Sequence, residues 1–225
     1  AAAPAVSVTL GGEDAAGMAD SVRLLLLFTV IALIPSILIM MTGFTRIIIV
    51  LSFLRNALGL QQTPPNQVLA GLALFLTLFL MSPVLTEINE TAYEPYVAGT
   101  ITQDEALVEA AKPMREFMLK QTNKEDLNMF LELSGEGEPQ SLDEVKTTTI
   151  IPAFITSELK RAFIIGFLIY LPFLIIDMVV ASILMSMGMV MLPPVMISLP
   201  FKVMLFVIVD GWGLLVRSLI LSFNM

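Results

Sequence analysis

The sequence predicts an all-α membrane protein of two long helical hairpins with a small helical extracytoplasmic insert between them. Three observations carry this expectation. Of the 225 residues, 56% are hydrophobic and only 14% are charged, and the mean hydropathy is +0.87; a soluble domain does not have that balance. Four apolar stretches stand out, Leu24 to Thr45, Val68 to Leu85, Ala162 to Met185 and Leu199 to Leu221, each of about the length a bilayer core asks of a helix. Between the second and third lies Thr86 to Ser157, which holds most of the acidic residues and reads as a solvated insert.

Taken in order, residues 1–22 are small, polar and acidic, AAAPAVSVTLGGEDAAGMAD and two more. They resemble the flexible start of a mature chain after signal-peptide removal, which puts the amino terminus on the outer side. Residues 23–85 form the first hairpin; its Leu24–Thr45 stretch carries no charge and would be roughly 33 Å long as a helix. Residues 86–157 are the acidic insert. There, TQDE at Thr102 to Glu105 is a capping box ahead of an amphipathic run to about Gln121, and Lys112, Glu116 and Lys120 are spaced to support that helix. A second capping box is expected at Thr122 to Glu125, before SGEGEPQ breaks the chain. Residues 158–225 form the second hairpin.

Basic residues orient the chain. Arg46 and Arg55 are read as flanking the connection between the first two spans, which makes that connection cytoplasmic, the insert periplasmic and the carboxyl terminus outer.

The two bends share a pattern. GLQQTPP, Gly59 to Pro65, and GMVMLPP, Gly188 to Pro194, are both G-x-x-x-x-P-P between apolar helices. Glycine ends the incoming helix, and the residue before a proline stays extended until Pro64–Pro65 or Pro193–Pro194 starts the returning one. One tip is polar and the other is Met-Val-Met-Leu. An exposed apolar tip calls for a partner.

Arg46, Arg55, Asp177, Lys202, Asp210 and Arg217 all fall inside or at the rims of apolar helices. Each costs about 2.5–3.5 kcal/mol facing lipid at mid-depth. Asp177 lies 13 residues before Val190 and Lys202 lies 12 after it, so the two should share a depth and could pair. Six such groups are too many for two hairpins, which implies cover by other subunits in an oligomer. Glu158, in TSELKR, marks the outer entrance of the third helix, as a first-turn charge or an interface anchor.

The chain has no cysteine and no histidine, so thiolate chemistry and the usual neutral base are absent. A net charge of −8 argues against nucleic acid. No phosphate-cradling glycine loop, activated nucleophile or paired carboxylates occur, so no enzyme and no cofactor are expected. Met185, Met187, Met189 and Met191 alternate before the second pair of prolines. They suit a Cu(I) site in a metal or ion transporter, a plain apolar turn in a structural scaffold, or a deformable seal. An extended path there puts Met189 and Met191 on one side.

MMTGFTRIIIVLSFLRNALG (Met40 to Gly59), PPNQVLAGLALFLTLFLMSPV (Pro64 to Val84), FLIIDMVVASILMSMGMVMLPP and LPFKVMLFVIVDGW closely resemble the FliP family of flagellar export-gate proteins, related to the SctR proteins of virulence type III secretion. The resemblance implies a subunit of the flagellar basal body in the bacterial inner membrane. Several copies would assemble with FliQ and FliR into a helical or ring-like, largely lipid-shielded oligomer, with FliO as assembly factor and FlhA and FlhB nearby. Unfolded flagellar subunits would pass through its centre. It further implies a gasket around the closed pore at Met187, Met189, Val190 and Met191, with Met185 a further contributor and Val190 interrupting the methionine run seen in some relatives. Arg46, Glu158, Asp177, Lys202 and Asp210 stand as buried or intersubunit charges.

Overall fold

The computed structural model describes residues 15–135, 141–189 and 191–223. Residues 1–14, the tail of SGEGEPQ and Val190 lie outside them. Among the described residues the secondary structure is wholly helical: α1 (Ala15–Met40), α2 (Phe44–Ala57), α3 (Asn66–Ile88), α4 (Glu94–Val97), α5 (Gln103–Gln121), α6 (Lys124–Ser134), α7 (Thr147–Ser186), α8 (Pro194–Ile208) and α9 (Gly211–Leu221). A π-turn over Asn89–Tyr93 carries α3 into α4.

The chain divides into two units, residues 1–39 and 40–225. α1 is the body of the first, a single helix of 26 residues. It ends at Met40, so Leu24–Thr45 is not one continuous span: the chain turns at 41–43 and α2 begins at Phe44. Gly43 at that turn leaves room for its neighbours: a Cβ there would stand 2.5 Å from the end of the Leu80 side chain and 2.9 Å from the edge of the Phe223 ring.

In the second unit, α2 packs on α3 across the Gly59–Pro65 turn, and α7 packs on α2, α6 and α8. Its core is built by Ile47, Val50 and Leu51 of α2, Leu69, Ala73 and Leu80 of α3, Phe117 and Met118 of α5, Ile150, Phe154 and Ala162 of α7, and Leu219 of α9. Small residues set the spacing. Gly166 of α7 lies so near Phe53 of α2 that a Cβ would meet its ring at 2.5 Å.

Among the described residues, two helical segments are long and apolar enough to cross a membrane, Asn66–Val97 and Thr147–Ser186; the bent pair α8–α9 passes the same test jointly. α7 runs 40 residues, about 60 Å at 1.5 Å per residue. It starts at Thr147, well before Glu158, so Glu158 lies inside a helix and not at its entrance. Only 11% of the apolar window of α7 is buried, which leaves Phe163, Phe167, Ile175 and Met178 exposed along it.

The capping box of α5 forms: Thr102 N–H donates to Glu105 Oε2 at 2.8 Å, and Glu105 N–H donates to Thr102 Oγ1 at 3.3 Å. The second expected box does not. Asn123 is the N-cap of α6, while the Thr122 hydroxyl donates back to the Met118 carbonyl. Lys112 pairs with Glu109 rather than Glu116, and Glu116 pairs with Lys120.

Candidate functional site: a methionine turn and two buried cations

The two turns are built alike. At the end of α2, Gly59 adopts φ 77°, its N–H bonds the Asn56 carbonyl at 3.0 Å, and Leu60 N–H reaches Arg55 at 3.1 Å. At the end of α7, Gly188 adopts φ 75°, its N–H bonds Met185 at 3.1 Å, and Met189 N–H reaches Leu184 at 3.0 Å. Both are Schellman motifs centred on a left-handed glycine. The returning helices start at the prolines, with Pro65 as N-cap of α3 and Pro193 as N-cap of α8, which Pro194 opens. Pro64 lies just before the first of these.

Past Gly188, Leu192 N–H bonds the Met189 carbonyl at 3.4 Å. The extended path expected from Met189 to Met191 runs through Val190, which lies outside the described residues. Met185, Met187 and Met191 are exposed, Met191 at 99%, and Met189 is 36% exposed. An added Cβ on Gly188 meets nothing within 4 Å. The methionines therefore project an apolar, thioether-rich surface that the described residues leave uncovered.

Behind the tip sits Lys202 of α8, fully buried. Its Nζ donates to Asp177 Oδ2 of α7 at 2.6 Å and to the Ala57 carbonyl of α2 at 3.1 Å. The second bond completes an account at the end of α2. The carbonyls of Leu54, Arg55 and Asn56 take the N–H groups of Leu58, Leu60 and Gly59, and Ala57 is the last orphan. Ser198, also buried, donates its hydroxyl to the other Asp177 oxygen. An ammonium at a helix C-terminus, with a carboxylate opposite, is favoured by dipole and charge together.

The second hub stands near the other end of α7. Arg46, 0% exposed, pairs with equally buried Glu158 through both guanidinium arms; Nε to Oε2 is 2.8 Å. A further nitrogen donates to the Ser222 carbonyl at 2.8 Å and hydroxyl at 3.0 Å, and the guanidinium lies 3.7 Å above the Phe223 ring. Arg46 therefore closes the end of α9 as Lys202 closes the end of α2. Gln121 Oε1 accepts from both Arg46 and Arg161 at 3.4 Å. Arg46 is thus an internal residue of α2, and it does not flank a loop between spans. Arg55, near the far end of α2, reaches Pro64 and Asn66 across the first turn.

At the insert, Ser157 Oγ accepts from Asn123 N–H at 2.9 Å and donates to Asp126 Oδ2 at 2.7 Å, while Lys160 pairs with Asp126. Burial alone would raise the Asp126 pKa; bonds from Lys160, Ser157 and Asn123 outweigh it, and the carboxyl titrates below its ordinary range. Asp210 departs from the buried set: it is exposed, at the break between α8 and α9. The roles of Gln121, Ser222, Phe223 and Ser198 carried no sequence signal, since each depends on which helix end arrives beside a cation. Among the described residues no group of three or more carboxylates could hold a metal ion.

A family model described as the FliP family matches residues 27–219, which takes in the methionine turn, the Lys202–Asp177 pair and the Arg46–Glu158 pair. The chain belongs to the FliP family. It is 58% identical over 211 residues to the flagellar biosynthetic protein FliP of Bacillus subtilis, covering 94% of this chain and 96% of that one. The corresponding Pectobacterium carotovorum protein is 56% identical over 203 residues, 90% of this chain and 79% of its own. That of Aquifex aeolicus is 50% identical over 209 residues, 92% and 87% of the two chains. All three relatives carry the name flagellar biosynthetic protein FliP.

Proposed function

We propose that this chain is a core subunit of the flagellar protein export gate, through which unfolded flagellar subunits leave the cell. Its two helical hairpins would assemble as several copies with FliQ and FliR in the inner membrane, FliO helping and FlhA and FlhB adjacent. The insert and both termini would face the periplasm, and the methionine turns would close the pore between rounds of export.

The observation that carries this reading is the exposure of Met185, Met187 and Met191, set on a base fixed by Lys202. Methionine side chains are unbranched and apolar, so they can part around differing chains and re-form a seal. The Gly59 turn supports it, since the same Schellman geometry is built there with a polar tip. The turn itself does not demand methionine.

Replacing Met187, Met189 and Met191 by alanine tests the reading. Cells carrying the variant should leak ions or small solutes while the complex still assembles in mild detergent. Loss of assembly, or tight membranes with unchanged export, would point to a scaffold and overturn the seal. Copper bound by the purified chain would favour transport of a soft metal instead.

A further inference from the structure

α8 and α9 form an apolar pair bent by 66°. Asp210 stands at the break with φ 50° and ψ 53°, a conformation side chains other than glycine rarely adopt. Both glycines after it are explained by contact. A Cβ on Gly211 would lie 2.2 Å from the Phe206 ring, and one on Gly213 would lie 2.3 Å from Asp210 Oδ2. The Asp210 carboxylate therefore rests over the backbone of Gly213, one turn ahead of Arg217 on the same ridge of α9.

Asp210 and Arg217 are both exposed, and neither side chain has a hydrogen-bond or ion-pair partner among the described residues. Val207, Ile208, Trp212 and Leu214 surround them, exposed as well. Such a strip suits neither hydrocarbon, which would leave two ions uncompensated, nor water, which would wet the aliphatic side chains. It suits an apolar protein surface that offers a cation and an anion at the same spacing. The strip itself has that pattern, so its charge complement is another copy of itself.

We propose that Asp210, Gly213 and Arg217 form a contact strip between two copies of this chain, Asp210 of one copy pairing with Arg217 of the other. Gly213 lets the helices approach closely. If both pairs join the same two copies, the contact closes as a dimer. If each copy passes the contact on, neighbours are offset by about 10 Å along the helix, and a ring or spiral follows. The inference rests on reading the chain as a subunit present in several copies.

The chain has no cysteine, so disulfide trapping is clean. Asp210→Cys and Arg217→Cys are placed in two differently tagged copies, expressed together with the rest of the gate and oxidised in the membrane. Positions 210 and 217 lie about 10 Å apart on one helix, too far to bridge within a copy. A product carrying both tags is expected; the double-cysteine chain should then give a dimer alone or a ladder, according to the symmetry. Cross-links to other subunits only, or none in an assembled complex, overturn the proposal. Should the cysteines disturb assembly, Asp210→Arg and Arg217→Asp are each expected to lower oligomer yield several-fold and the double exchange to restore it; no restoration also overturns the proposal. Native mass of the untrapped wild-type complex tests the multi-copy reading separately.

Discussion

Lys202 Nζ stands 3.1 Å from the Ala57 carbonyl oxygen, and this contact ties the end of α2 to the helix that follows the methionine turn. A Cβ on Gly59 would likewise touch Val195 at 3.7 Å, so the two turns lie side by side. Lys202 therefore sets the position of the methionine tip against a fixed reference, the last turn of α2.

Substituting Lys202 by methionine tests that dependence. The change leaves the Ala57 carbonyl unpaired and the Asp177 carboxylate without its cation. Because Asp177 is 24% exposed, the loss should be about 2–3 kcal/mol rather than the full cost of a sealed pair. Chemical unfolding in mild detergent measures it, and Asp177→Asn in the same chain should recover part. Equal stability of the single variant and wild type would show that the contact does not hold the turns.

Arg46 and Glu158 are sealed on both sides, and single changes should cost more. Arg46→Met or Glu158→Gln is expected to destabilise by about 3–5 kcal/mol. The double variant should lie nearer wild type than either single one, though not at it, because Ser222 and Gln121 also lose a donor. A double-mutant cycle with additive losses would contradict the coupling.

These hubs mark how far the sequence could be read. Long apolar stretches announced α3, most of α7 and the α8–α9 pair, and the paired glycines and prolines announced both turns. Equal spacing from the second bend suggested that Asp177 and Lys202 could meet. Arg46 lies elsewhere than expected because hydropathy cannot see the turn at 41–43, which divides an uncharged stretch into two helices. Glu158 was misplaced for a related reason: the helix starts at Thr147, among polar residues that an apolar window passes over. The carbonyls of Ala57 and Ser222 were invisible as partners, because backbone acceptors carry no residue signature.

Asp126 gives a pH dependence with a defined sign. Its folded pKa is lowered, burial opposing and Lys160, Ser157 and Asn123 prevailing. The stabilisation is complete above the unfolded value of about 3.9 and is lost as pH falls through the lower folded value. Hydrogen exchange in α6 should accelerate below about pH 4 beyond its intrinsic trend, and Asp126→Asn should remove that excess, at a cost near 1–2 kcal/mol at neutral pH.

Gly166 against Phe53 tests the packing of α7 on α2. A Cβ would meet the Phe53 ring at 2.5 Å and its Cβ at 3.0 Å, so Phe53 must move off its T-shaped contact with Phe163, now 5.3 Å between centroids. Gly166→Ala should destabilise by about 1–3 kcal/mol, and Phe53→Leu should relieve most of it by shortening the obstructing side chain. If Gly166→Ala were neutral, the helices would be able to part there at little cost.

The shared turn geometry makes the last prediction a comparison. Gly59 and Gly188 both hold φ near 75°, where a Cβ costs about 1–2 kcal/mol and asparagine pays least among residues with side chains. Alanine should therefore be worse than asparagine at both positions, by similar margins, since one added Cβ finds only ordinary contact and the other finds open space. Thermal unfolding of the four single variants in mild detergent gives the order. If Gly188→Ala proved harmless while Gly59→Ala did not, the left-handed glycine would belong to the first turn alone, and the likeness of GLQQTPP and GMVMLPP would be a coincidence of composition.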